Sequence, residues 1–136
     1  MSVEGIIGIA NSALTAQSQR LTLIAQNLAN ADSVNSPEGG PYQRRMAIFE
    51  PQQVGEGASA GTGVKLAAVI KDGAPAHEVF DPSNPFADAQ GMVKEPNVNP
   101  VYEMVDMMQA ARSYQANLSV IQSAHSSAMK TLDLLR

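Results

Sequence analysis

The chain has 136 residues, a net charge of −4 and no cysteine. That length suits a single folded unit. Disulfides, thiolate nucleophiles and thiolate metal sites are excluded, and no cluster of Lys and Arg exists to neutralise a nucleic-acid backbone.

Ile6, Ile7 and Ile9 open the chain on an apolar note, but no basic residue precedes them and Asn11 and Ser12 soon interrupt. No cleavable signal peptide is expected. No window approaches the ~18 consecutive apolar residues of a membrane-spanning helix.

From Gly5 to Asn30 there is no proline and, after Gly8, no glycine. Ile7, Leu14, Leu21 and Leu28 recur every seven residues, with Ala10 and Ile24 between them, which predicts a helix with a heptad-like stripe. The turn-forming residues Asp32, Ser33, Asn35, Ser36, Pro37, Gly39 and Gly40 end it near Asn30.

The middle segment, 32–98, gathers most of the prolines and glycines and reads as short strands and loops. Tyr42–Phe49 and Val64–Ile70 are the expected strands, joined by a flexible Gly55–Gly63 connection. Asn99 followed by Pro100 then predicts an N-cap and a first helical position. No proline or glycine follows. A helix reaching the C-terminus would measure roughly 54 Å at 1.5 Å per residue, more than the width of a domain this size.

The expected fold class is therefore mainly α with a small β and loop segment. Helices over 1–31 and 99–136 would form one unit, an antiparallel coiled-coil-like pair. Both are poor in charge: only Arg20 is charged between Gly5 and Asn30, and nothing is between Ser113 and Met129. A helix facing water normally carries a charged face opposite its apolar one.

The second helix has two apolar stripes. Val101, Met104, Met108, Ala111, Leu118, Met129 and Leu132 form one; Ala110, Tyr114, Ile121, Ala124, Ala128 and Leu135 form the other. One antiparallel partner covers only one stripe. Leu14, Leu21, Ile24 and Leu28 are expected to pair with Met104, Met108, Leu118 and Leu132 inside the chain. Asn27, Asn30, Tyr114, Gln115, Asn117 and Ile121 are expected to meet other subunits. Gln17 and Gln122 also fall within the pattern, and paired amides there would set register. A self-contained bundle covering both stripes is the alternative.

No catalytic residue, cofactor site or metal site is expected. His77 and His125 have no ligand partner at a useful spacing. Asp81, Asp88 and Glu78 could supply a carboxylate pair, but the Asp81-Pro82-Ser83-Asn84-Pro85 run reads as turn chemistry.

Several runs resemble the rod and hook proteins of the bacterial flagellar axial family. They are Asn27-Leu28-Ala29-Asn30-Ala31-Asp32-Ser33, Pro37-Glu38-Gly39-Gly40-Pro41-Tyr42 with Arg44 and Arg45, the Asp81–Pro85 turn, Pro96-Asn97-Val98-Asn99, and Glu103-Met104-Val105-Asp106-Met107 with Arg112-Ser113-Tyr114-Gln115-Ala116-Asn117. Met92 after Gly91, and Ala74-Pro75-Ala76-His77, depart from the family pattern. The resemblance implies a structural subunit of the proximal rod, which crosses the periplasm and passes torque from the rotor ring to the distal rod. Implied partners are copies of itself, neighbouring proximal and distal rod proteins, the rotor MS-ring with its rod adaptor, and the flagellar type III export apparatus. Alternatives are a needle or inner-rod subunit of another secretion-built tube, a periplasmic cell-wall hydrolase using Asp81 or Glu78, or an adaptor for an export chaperone.

Overall fold

The computed structural model describes residues 3–55 and 60–134. Leu135 and part of the Gly55–Gly63 connection lie outside the described residues. The order is α1 (Val3–Ala29), β1 (Arg45–Val54), β2 (Gly61–Lys71), β3 (His77–Phe80), β4 (Met92–Glu95) and α2 (Pro100–Asp133).

Helix α1 stops where Asn30 turns the chain, and the Asn30 side-chain amide donates to the Gln26 carbonyl at 2.8 Å. The same carbonyl accepts from the Asn30 backbone amide at 3.1 Å, so Asn30 bonds it twice in the last turn. At the start of α2, the Asn99 side chain accepts from the Val101 and Tyr102 amides at 3.0 and 3.3 Å, with Pro100 directly behind it. Both helix signals read from the sequence thus act through identifiable hydrogen bonds.

Strands β1 and β2 form a long antiparallel hairpin, from Arg45 opposite Lys71 to Val54 opposite Gly61, with a bulge between Ile48 and Phe49. It extends well past the expected strands. Pro51 is tolerated because each strand of a two-stranded sheet keeps an open edge where a missing N–H costs nothing. The hairpin lies along α1. Ser12 holds it there, its hydroxyl donating to the Ile9 carbonyl at 2.7 Å and accepting from the Val64 amide at 3.1 Å. Gly63 sits buried against Ser12 and Val54, where a Cβ would collide with both. Strands β3 and β4 make a separate short hairpin, His77 opposite Glu95 and Phe80 opposite Met92.

The expected fold class requires correction. Strand makes up 23% of the structure beside 48% helix, so the chain is not mainly α, and the helix pair is not a coiled coil. The reason is that α1 is covered twice, by α2 and by the β1–β2 hairpin. Its fully buried positions are Gly5, Ala10, Ala16, Ile24 and Asn27, and those of α2 are Glu103 and Ala110. A coiled coil needs a large apolar knob at successive positions of one seam, and only Ile24 qualifies. Small residues instead let α1 approach two neighbours closely. Among the described residues no helix is long and apolar enough to cross a membrane.

Candidate functional site: a buried polar clasp and an open helix face

The chain holds its helices together at one end by polar groups. Asn27, 1% exposed, has every side-chain valence used. Its Nδ2 donates to the Arg45 carbonyl at 2.9 Å and to Glu103 Oε2 at 3.1 Å. Its Oδ1 accepts from the Arg45 amide at 2.9 Å and the Tyr42 hydroxyl at 3.0 Å. One amide therefore ties α1, β1 and α2 together.

Glu103 is completely buried, and its second oxygen accepts from Arg44 Nε at 2.5 Å. The Arg44 guanidinium also lies 3.7 Å from Asp72 and 3.5 Å from Asp106, and Arg20 reaches Asp106 at 3.6 Å. The Arg44 amide donates to Asn97 Oδ1 at 2.8 Å, and Asn97 Nδ2 donates to the Ala74 carbonyl at 3.0 Å. A buried carboxylate is tolerable only when paired and hydrogen-bonded, and breaking such a set leaves a charge stranded. Burial pushes the Tyr42 phenol above its ordinary pKa. Nearby, Glu38 bridges Lys71 and Arg45, and Lys71 holds its carboxyl below the usual carboxylate range.

Asn27 was expected between subunits and is instead an intrachain clasp. A helical amide looks the same in sequence whether its partners lie in this chain or in another. The residues that complete it, Tyr42, Arg44, Arg45, Asn97 and Glu103, were passed over as site residues. For three of them the available signal was charge: Glu103 stands in an apolar stretch of α2, and Arg44-Arg45 stand where β1 begins.

The pairing face of α2 also differs from expectation. Its sheltered positions include Glu103, Met107, Ala110, Asn117, Ile121, Ala124 and Ala128, with Asp106, Ala111 and Ser113 half-buried beside them. Val3 and Ile6 of α1 share a groove with Ala124, Val120 and three serines of α2, which places the helices antiparallel. Leu14, Leu21 and Leu28 are half-buried and Ile24 is buried. Their expected partners are not: Met104 is 50% exposed, Met108 55%, Leu118 40% and Leu132 61%. Asn117 and Ile121, expected at other subunits, lie on the sheltered side. Tyr114 and Gln115 are exposed, and Asn30 is half-buried. The Gln17 Oε1 atom is buried without a hydrogen-bond partner, and Gln122 is exposed. Both histidines are exposed. Asp81 Oδ1 accepts from the Ser83 amide and hydroxyl at 3.1 and 2.6 Å, so that carboxylate caps its own turn.

Comparison with known proteins gives the family. The flagellar basal-body rod protein FlgC of Escherichia coli O6:H1 is 52% identical over 134 residues, covering 98% of both chains. The chain belongs to the FlgC family of flagellar basal-body rod proteins. The FlgC of Salmonella typhimurium is 50% identical over the same length, and that of Borreliella burgdorferi 37% identical over 151 residues, with all of this chain covered. The flagellar basal body rod FlgEFG protein C-terminal family matches residues 89–134. That match spans β4 and α2.

Proposed function

We propose that the chain is a structural subunit of the proximal flagellar rod, assembled with copies of itself and with neighbouring rod proteins through the outer face of α2. The observation that carries the assembly surface is the row Met104, Met108, Leu118, Met129 and Leu132, each 40% exposed or more on a helix whose opposite side is covered by α1. Burying one such side chain contributes on the order of 2 kcal/mol. A row of them left in water therefore favours association strongly. The uncharged stretch Ser113–Met129 suits a protein interior better than solvent. It would join the close-packed centre of the rod, whose dense packing resists torsion. Tyr114 and Gln115 flank the same face and would meet neighbouring helices.

Membership of a rod family assigns the chain a structural role. We read it as passing torque from the rotor ring and its adaptor to the distal rod, and as reaching the rod through the flagellar type III export apparatus without a cleaved signal. The buried clasp would hold the subunit's own helices in register while the outer face binds neighbours.

Leu118→Asp tests this reading. The side chain is exposed in the single chain, so monomer stability should change by less than about 0.5 kcal/mol. The variant should be produced and exported normally, be absent from purified basal bodies, and abolish motility. Motile cells carrying Leu118→Asp in their rods would refute the proposed surface.

A further inference from the structure

The β3–β4 hairpin carries two exposed aromatic rings on an unusually well-fixed turn. Phe80 is 67% and Phe86 56% exposed. Three side chains cap the connecting loop: Asp81 accepts from the Ser83 amide, Asn84 from the Phe86 amide, and Asp88 from the Gln90 and Met92 amides, at 2.9 to 3.1 Å. Gly91, at φ +77°, lies under the Phe80 ring, and a Cβ there would come within 2.9 Å of it. The ring rests on backbone and presents its other face to solvent. A ring supported like that of Phe80 loses little freedom on binding, which is what makes an aromatic anchor effective.

The same chain holds a surface of matching character that the knob does not reach. Met104, Met108 and Arg112 follow one another at four-residue intervals along α2, spanning about 12 Å. Both methionines are at least half exposed, and Arg112 enters no ion pair among the described residues. Glu78, Asp81 and Asp88 surround the knob against the single cation Lys94, so knob and seat have opposite charge. Thioether sulfur and guanidinium both pack favourably on aromatic rings.

We propose that Phe80 and Phe86 of one copy dock on Met104, Met108 and Arg112 of a second copy. Both patches stay open within one chain, so the contact is intermolecular. Because knob and seat are different surfaces, the contact is head-to-tail and builds a ring or an open helical array instead of a two-fold dimer. The inference rests on the assembly reading above and names what covers the Met104 and Met108 end of that row, leaving Leu118, Met129 and Leu132 for helix packing.

The absence of cysteine permits a direct test. Basal bodies are purified from cells producing Phe86→Cys/Met108→Cys and oxidised. The expected result is a ladder of disulfide-linked copies that neither single variant gives. The chain present in rods without a ladder, or linked to a different protein, would overturn the inference while leaving the assembly reading intact. The chain missing from rods made with Leu118 unaltered would be checked with a charge exchange. Glu78→Lys and Arg112→Glu should each reduce rod incorporation roughly tenfold or more, and the double variant should restore it. Failure of the double variant to recover incorporation would also overturn the contact.

Discussion

Replacing Asn27 by alanine removes four hydrogen bonds at the point where α1, β1 and α2 meet. One fully buried Glu103 oxygen and the part-buried Arg45 amide and carbonyl lose a partner, while the half-buried Tyr42 hydroxyl can turn to solvent. A buried polar group left unpaired costs about 1–3 kcal/mol. With partial relaxation, the sum comes to about 3–4 kcal/mol, a large share of the ~5–15 kcal/mol by which a domain is stable. Urea unfolding followed by circular dichroism would read this as a midpoint lowered by roughly 1.5 M, taking a slope near 2 kcal/mol per M. Asn30→Ala is the internal comparison. It removes one exposed cap to the Gln26 carbonyl and should cost under about 1 kcal/mol. Equal midpoints for the two variants, or an Asn27→Ala shift below about 0.5 M, would refute the clasp.

Glu38→Gln probes the Lys71 and Arg45 bridges. Lys71 holds the folded-state pKa of Glu38 below the ordinary carboxylate value. The stabilisation from the charged form is therefore present above the unfolded value and lost as pH falls through the folded one. The difference in thermal midpoint between parent and variant should be constant at neutral pH and shrink once pH drops below about 4.5; a difference that grows on acidification would contradict the bridge. Gly63→Val forces a side chain into the space held by Ser12 and Val54. It should cost about 1–3 kcal/mol in urea unfolding and speed amide exchange at Val64, whose N–H bonds Ser12.

Much of the local structure was legible in the residues. Asn99-Pro100 marked the start of α2 because an N-cap and a proline at the first helical position act within one turn. Asn30 and the turn residues after it marked the end of α1 for the same reason. The hairpin was only half visible. Pro51, Gly61 and Gly63 are strand breakers in general, and they are tolerated here because β1 has an open edge and α1 leaves no room beside Gly63. Strands β3 and β4 were not separately legible, since four-residue strands give too short a pattern to stand apart from loops.

The sequence by itself determined that two long helices exist, that long stretches of both carry almost no charge, and that the chain belongs among flagellar rod proteins. These are properties of spacing and composition, and periodicity survives without any knowledge of neighbours. Only the tertiary structure decided which stripe of α2 turns inward and what Asn27 binds. A stripe records its angular width on a helix but not what stands opposite. That depended on α1 offering Gly, Ala and an amide on one side while the hairpin occupied another, so the small residues and Glu103 went in and Met104, Met108 and Met129 stayed out.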